Sequence, residues 1–225
     1  MVFSWPVFVS GLFCHIAVLC TGDLIYHQTM TPFWLEAHAS YIDSARTTTN
    51  EQITFNAGST KHALLLKVPM IPPGVFRHST PLTIQITVAN DVSIGGTEES
   101  DNRYGVSDGT NFMGFHIPDK ASYVNRPPCY GVEGPSGSSL LHLSYINRAS
   151  PRPSDKFYPG QFVITLKMDE RWGSCYTVHD GGYTNSGVFS SRLVPSKGLT
   201  LEVYKDEAVE RVGIKYIKVA IIEDA

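Results

Sequence analysis

The chain carries little charge and has no cluster of basic residues. Asp, Glu, Lys and Arg make up 17% of its 225 residues, and the formal net charge is −3 at pH 7. Without a run of Lys and Arg there is no electrostatic footprint for a nucleic acid or an anionic membrane, so neither is expected as a partner. Hydrophobic residues make up 42%, which is sufficient for a core and argues against disorder of the whole chain.

Several motifs of metal, redox and glycosylation sites are also missing. The sequence contains no Cys-x-x-Cys, no His-Glu-x-x-His and no His-x-His, so a zinc or redox centre has no support. It contains no Asn-x-Ser/Thr sequon, so N-glycosylation of the protein itself is not expected.

The N-terminus resembles a targeting sequence. Residues Val2 to Thr21 contain no Asp, Glu, Lys or Arg, and their apolar run is interrupted by Ser10 and His15. A membrane span needs about 20 predominantly apolar residues, so a signal peptide over residues 1–22 is the better interpretation, although the usual basic residue before its core is missing. The mature chain, 23–225, would then be one secreted, extracellular domain. The alternative is a buried or disordered N-terminus.

Cysteine usage agrees with secretion. Two of the four cysteines would leave with the signal peptide, and Cys129 and Cys175 would remain. An even number of cysteines in an oxidising compartment predicts one disulfide. Two buried free thiols are the alternative, and geometry decides between them.

Alternation with a period of two is the main structural signal. In the segments 82–89, 161–168 and 199–204, apolar side chains alternate with polar ones, which predicts strands with one buried face. Further strands are expected at 52–55, 62–68, 111–117, 139–146, 173–179 and 212–222. In the last one the apolar positions change phase, which predicts either that both faces are covered or that a bulge lies near Tyr216.

Turns rich in Gly and Pro separate these runs, and the best helical candidate is 32–44. Many short strands between such turns predict an all-β fold, an antiparallel two-sheet sandwich. The segments 90–110 and 119–137 have little strand character. They are expected to be long loops, which often carry binding residues.

An acidic segment lies within the first of these loops. It contains Glu99, Asp101, Asn102 and Asp108, with glycines that allow bends. Calcium takes six to eight oxygen ligands from carboxylates and carbonyls in such loops, so these four residues are candidate ligands. The spacing does not match the EF-hand loop, and a solvated acidic loop is the alternative.

Aromatic and amide residues suggest a second kind of site. An aromatic ring and a few placed hydrogen-bonding groups are typical of small-molecule pockets and would suit a sugar. For several of these residues a structural role, in a turn or against a disulfide, explains the position equally well. The candidates are Tyr104, Asn111, Tyr130, Trp172, Asp180, Tyr183 and Asn185.

The segments Tyr104-Gly105-Val106-Ser107-Asp108-Gly109 and Gly198-Leu199-Thr200-Leu201-Glu202-Val203-Tyr204 resemble a concanavalin A-like or related jelly-roll sandwich in their architecture. This resemblance implies glycan binding on a concave sheet or its rim, often with calcium nearby. A fold alone does not establish a function.

Polysaccharide hydrolases of this fold class carry Glu-x-Asp-x-x-Glu on one strand, which supplies both catalytic carboxylates. The corresponding segment here runs from Glu99 to Tyr104 and lacks the final glutamate, and Glu202 is expected on a solvated face. The sequence therefore favours a secreted, lectin-like carbohydrate-binding module over an enzyme. An extracellular structural or protein-interaction domain and a polysaccharide-active hydrolase are the alternatives.

Overall fold

The computed structural model describes residues 22–56, 63–93, 101–118, 129–133, 144–147, 160–168, 173–179, 184–189, 193–205 and 211–224. Residues 1–21, which hold most of the predicted signal peptide, lie outside this part of the chain. Within the described ranges, no helix is long and apolar enough to cross a membrane.

The described chain consists mainly of strands. In chain order its elements are β1 (Asp23–Met30), α1 (Pro32–His38), β2 (Tyr41–Ile42), β3 (Arg46–Thr48), β4 (Ile53–Asn56), β5 (Ala63–Ile71), β6 (Leu82–Ser93), β7 (Asp101–Ser107), β8 (Asn111–Pro118), β9 (Cys129–Glu133), β10 (Ser144–Asn147), β11 (Gly160–Met168), β12 (Gly173–His179), β13 (Thr184–Phe189), a 3-10 turn (Pro195–Lys197), β14 (Leu199–Lys205) and β15 (Arg211–Glu223).

The strands form two antiparallel sheets that pack as a sandwich. One sheet has nine strands in the order β10-β13-β12-β11-β6-β15-β4-β3, with β1 paired to the other end of β15. The second sheet has six strands in the order β2-β5-β14-β7-β8-β9. This architecture confirms the predicted all-β sandwich.

The core lies between the sheets and follows the predicted alternation. Ile84 and Ile86 of β6 are fully buried, and they pair with Leu166 and Ile164 of β11, which are also buried. Residues directly opposite on neighbouring strands share a face, so each such row adds a continuous apolar stripe to the core. Leu201 and Val203 contribute the same pattern from β14 in the six-stranded sheet.

Of the two alternatives that the phase change in β15 allowed, the structure shows the bulge. Its register with β6 shifts between Ile214 and Tyr216. The extra residue, Lys215, is exposed, while Ile214 and Ile217 on either side are both fully buried. A bulge changes the phase of the alternation by one residue, and here it lets β15 present apolar side chains to the core along its whole length.

The helical candidate is shorter than predicted. The helix α1 ends at His38, and the chain then enters β2 at Tyr41. Its start is capped by the Thr31 hydroxyl, which accepts from the Trp34 amide at 3.4 Å, and Pro32 occupies the first turn, where its missing N–H has no cost. Glu36 of the helix pairs with Arg46 of β3, with 2.6 Å between carboxylate oxygen and guanidinium nitrogen.

The two expected long loops also contain strands. The β6 strand extends to Ser93, the whole of β7 lies within 90–110, and β9 lies within 119–137. Their sequences did not suggest strands because glycines and charged residues interrupt the apolar pattern. Tertiary pairing with β14 and β8 orders them instead, as context-dependent strand preferences allow.

Candidate functional site

The face of the six-stranded sheet that points away from the core is called the outer face here. Leu201 and Val203 point into the core, so the alternating residues Glu202 and Tyr204 of β14 lie on the outer face. A single row crosses all six strands at Glu202. Its members, in register, are Tyr41 of β2, Lys67 of β5, Glu202, Gly105 of β7, Gly114 of β8 and Tyr130 of β9.

Glu202 is buried and held by two partners. Its side chain is 1% exposed; one carboxylate oxygen lies 3.0 Å from Lys67 Nζ. The other accepts a 2.7 Å hydrogen bond from the Tyr204 hydroxyl. The expectation of a solvated Glu202 was therefore wrong. Alternation correctly pointed the side chain away from the core, but neighbouring groups cover it, and a buried carboxylate requires such partners.

Two glycines at the centre of the row allow an aromatic ring to lie on the sheet. A Cβ on Gly105 would lie 2.5 Å from Phe112 Cζ, and one on Gly114 would lie 2.7 Å from Phe112 Cε1. The ring of Tyr204 meets that of Phe112 edge to face, with 5.8 Å between centroids and 85° between planes. The middle of the outer face is therefore a packed aromatic layer next to the Glu202 carboxylate.

The side of the outer face at β2 and β5 remains open to solvent, and we call it the β2–β5 margin. Tyr41 lies directly opposite Lys67 in the register, so both share the outer face. Tyr41 is 44% exposed, and the Lys67 side chain is 38% exposed. Beside them, Pro69 is exposed and Thr200 is half-buried, and these two residues pair with each other. The margin thus combines an exposed aromatic ring with an ammonium group and a hydroxyl.

Sequence reasoning missed both Tyr41 and Lys67. Lys67 interrupts the apolar run Leu64-Leu65-Leu66-Lys67-Val68, and a single polar residue within such a run is a signal that this position leaves the core. Tyr41 lies inside the helical candidate 32–44, where the sequence pattern does not predict a strand. Its position on the outer face follows only from the pairing of β2 with β5.

Asp108 lies in the turn between β7 and β8, directly after Ser107, which pairs with Thr200 of β14. Asp108 is 5% exposed, and its carboxylate accepts hydrogen bonds through both oxygens. Oδ1 accepts from the amides of Thr110 (2.7 Å) and Asn111 (2.6 Å), and Oδ2 accepts from the amide of Val194 (2.7 Å) and from Asn111 Nδ2 (3.3 Å). Asp108 therefore ties the β7–β8 turn to the segment before β14, a turn role of the kind that Asp commonly fills.

The candidate calcium ligands do not come together as expected. Asp101 and Asn102 begin β7, whereas Asp108 follows its last residue. At about 3.3 Å per residue the strand separates them by roughly 20 Å, so one ion with ligands at about 2.3–2.6 Å cannot bind all three. Glu99 lies outside the described residues. Within the described ranges, no three His, Cys, Asp or Glu residues are grouped so that they could hold a metal ion.

The predicted sugar-binding residues are dispersed. Tyr104 is fully buried within the core, so its ring cannot stack on a ligand from solvent. Asn111 is part of the Asp108 turn. Tyr130 takes part in the outer-face row, whereas Asn185 lies on β13 in the nine-stranded sheet. Trp172, Asp180 and Tyr183 lie outside the described residues. Among the candidate sugar-binding residues that the structure describes, Tyr130 is the one that lies in register with Glu202.

Comparison with known proteins identifies the fold. No family model matches the chain, and no curated protein matches it in sequence. Among solved structures, it is similar to the lectin of Bauhinia forficata in complex with GalNAc, with a TM-score of 0.50, 7% identity, and coverage of 89% of this chain and 99% of the lectin.

A second similar structure is the CBM2 module of the evolved Dit of Lactobacillus casei BL23 phage J-1. The TM-score is 0.51 and the identity 8%, with coverage of 91% of this chain and 97% of that module. At such low identity these likenesses concern architecture and do not assign a function. The chain has a concanavalin A-like lectin fold, as the sequence resemblance predicted.

Proposed function

We propose that the protein is a secreted carbohydrate-binding module whose ligand binds at the β2–β5 margin of the outer face. The observation that carries this proposal is the arrangement of Tyr41, Lys67 and Glu202 in one row, with the first two open to solvent. A sugar offers an apolar ring face and several hydroxyl groups. An exposed aromatic ring beside oriented hydrogen-bond donors matches both.

The pairing of Lys67 with Glu202 prepares the ammonium group for a ligand. Glu202 engages the Lys67 Nζ from the sheet side at 3.0 Å, so part of the conformational entropy of a long side chain is lost before binding. The remaining ammonium protons can donate to ligand oxygens. Because the buried carboxylate balances the ammonium charge, we expect a neutral sugar to bind better than an anionic one.

The fold supports this proposal in a general way. One similar structure is a lectin in complex with GalNAc, and the other is described as a CBM2 module. Secretion is part of the proposal and is supported by the apolar N-terminal run. The first strand, β1, begins at Asp23, directly after the expected cleavage site, so cleavage would leave the sheet complete. Sequencing the N-terminus of the secreted protein tests this point.

The test of binding is a glycan array probed with the secreted protein, in calcium and then in EDTA. Tyr41→Ala should reduce the affinity for the bound glycan by about tenfold, because a central aromatic contact contributes more than about 1 kcal/mol. The matched control is Phe33→Ala, which removes another exposed aromatic ring, 56% exposed, on α1. It should bind like the wild type.

Lys67 requires a double substitution, because removing it alone would leave the buried Glu202 carboxylate without its cation. Lys67→Met with Glu202→Gln keeps the pair uncharged, and we expect weaker glycan binding with the melting curve still cooperative.

If the wild-type protein binds a glycan in calcium and loses this binding in EDTA, calcium takes part in binding. Unchanged affinity in both Tyr41→Ala and the double variant would refute the margin as the site. No binding by folded wild-type protein would favour the protein-interaction alternative.

A further inference from the structure

The strand register places Cys129 and Cys175 on the core-facing sides of opposite sheets. Cys175 of β12 lies opposite Leu166, which is fully buried in the core. Cys129 of β9 lies opposite Phe115, and Phe115 lies opposite the fully buried Tyr104. Since residues directly opposite on antiparallel strands share a face, both cysteine positions belong to the core side of their sheets.

The two sheets approach each other closely where these strands lie. Cα atoms of β9 come within 8 Å of Cα atoms of β12 and of β13. Sheets in a sandwich are ordinarily about 10 Å apart, whereas cysteines joined by a disulfide have their Cα atoms about 4.4–6.8 Å apart. The approach between β9 and β12 is therefore closer than ordinary sheet packing and comes near to disulfide range.

Small residues occupy some of the core-side positions near the two cysteines. Gly131 of β9 lies opposite the buried Met113, and Gly187 of β13 lies opposite Cys175. Along the row from β11 to β13 the residues become smaller, from Leu166 through Cys175 to Gly187. Where side chains are this small, they leave no thick apolar layer to separate the sheets.

We infer that Cys129 and Cys175 form a disulfide that joins the two sheets at the β9 edge of the sandwich. Each thiol loses its proton, and together the two sulfurs give up two electrons as the S–S bond forms. A protein or small-molecule disulfide accepts them by thiol–disulfide exchange and is reduced to two thiols. The bond would attach β9, the last strand of the six-stranded sheet among the described residues, to the interior of the nine-stranded sheet.

This bond also concerns the outer face. Tyr130, the last member of the row that includes Lys67 and Glu202, directly follows Cys129 in β9. Restraining Cys129 would therefore hold the β9 end of the row in place. The inference does not depend on glycan binding, since it follows from the register of the cysteines and the spacing of the strands.

The direct test is a mass map of the secreted protein, denatured without reductant and treated with iodoacetamide. We expect the peptides of Cys129 and Cys175 to appear as one linked species, 2 Da lighter than the sum of the two thiol peptides, and to separate on reduction. Carbamidomethylation of both cysteines before reduction would overturn the inference. This readout requires no variant and is independent of any ligand.

Variants give a second test of the linkage. Cys129→Ala, Cys175→Ala and the double variant should melt at similar temperatures, each about 10 °C below the wild type, because a closed loop of about 45 residues restricts the unfolded chain. Reductant should lower the melting temperature of the wild type to that of the double variant and leave the double variant unchanged. Equal melting of wild type and double variant without reductant would count against a bond.

Discussion

Replacing Asp108 tests whether this residue holds the structure together or binds an ion. Its two carboxylate oxygens accept from three backbone amides, two in its own turn and one from Val194 in a distant segment. In Asp108→Asn the remaining oxygen can still accept from Thr110 and Asn111. The new amide group would face the Val194 N–H, so a donor would meet a donor.

The expected cost follows mainly from that conflict, because the other donor to this oxygen, Asn111 Nδ2, lies farther away at 3.3 Å. A hydrogen bond to a charged group contributes about 1.5–3 kcal/mol, and leaving a buried donor without an acceptor costs about 1–3 kcal/mol. We therefore expect Asp108→Asn to lower the free energy of unfolding by about 2 kcal/mol, equivalent to a melting temperature about 4–8 °C lower in a domain of this size. Asp108→Ala loses all three amide contacts and should cost more.

The assay is thermal unfolding in EDTA and again in excess calcium. Asp43→Asn is the matched control, because an asparagine oxygen can still accept from the Ala45 amide, which lies 2.8 Å from the Asp43 carboxylate. The substitution also removes a negative charge near Arg46 and the buried Lys205, so we expect a loss of about 1 kcal/mol that is equal in both media. If Asp108 acts through its amide contacts, Asp108→Asn is destabilised to the same extent in both media. Equal melting of wild type and Asp108→Asn in EDTA would refute this reasoning and favour a calcium ligand.

Two further predictions concern pH and backbone packing. Hydrogen bonds from Arg46 and Thr48 lower the pKa of Glu36 from 4.5 to about 2, so this carboxylate stabilises the fold above about pH 4.5 and the contribution disappears as the pH falls through 2. Glu36→Gln should cost about 1 kcal/mol at neutral pH, since the pair is partly exposed, and much less at pH 2, where half of the Glu36 carboxyl groups are protonated in the folded protein; a pH-independent difference in urea unfolding would contradict this. Gly105→Ala should cost about 3 kcal/mol or more, because its Cβ would lie 2.3 Å from the Met113 carbonyl oxygen, an overpacking that backbone cannot easily relieve. Gly109 has φ +84, and a Cβ added there would have nothing within 4 Å, so Gly109→Ala should cost about 1 kcal/mol. Equal losses of stability in the two glycine variants would show that the distance from the added Cβ to its neighbours does not determine the cost.

Many strands could be located from the sequence because their pattern is local. The β11 and β14 strands alternate apolar and polar residues, and the structure places them within a residue or two of the expected bounds. The phase change in β15 allowed either two covered faces or a bulge near Tyr216, and the structure shows the bulge; a strand with one buried face cannot change parity without an extra residue. The strands β7 and β9 were missed, because their order comes from partners distant in sequence.

The site was harder to predict, because a row across a sheet joins residues that no local pattern connects. Lys67 and Glu202 became neighbours through the pairing of β5 with β14, and Tyr41 joined them through β2. The candidates Asp101 and Asp108 are close in sequence, yet an extended strand places them at opposite ends of the sheet. Closeness in sequence was therefore a poor guide to shared function.

The sequence by itself determined the all-β class, the two-sheet sandwich and the direction in which most strand side chains point, because a period of two is a local property of the chain. It also indicated which cysteines could pair after removal of a signal peptide. Only the tertiary structure decided which strands are neighbours, and with them the burial of Tyr104 and Glu202 and the exposure of Tyr41. Register is set by the packing of the whole core, and a residue's exposure depends on what the rest of the chain lays over it.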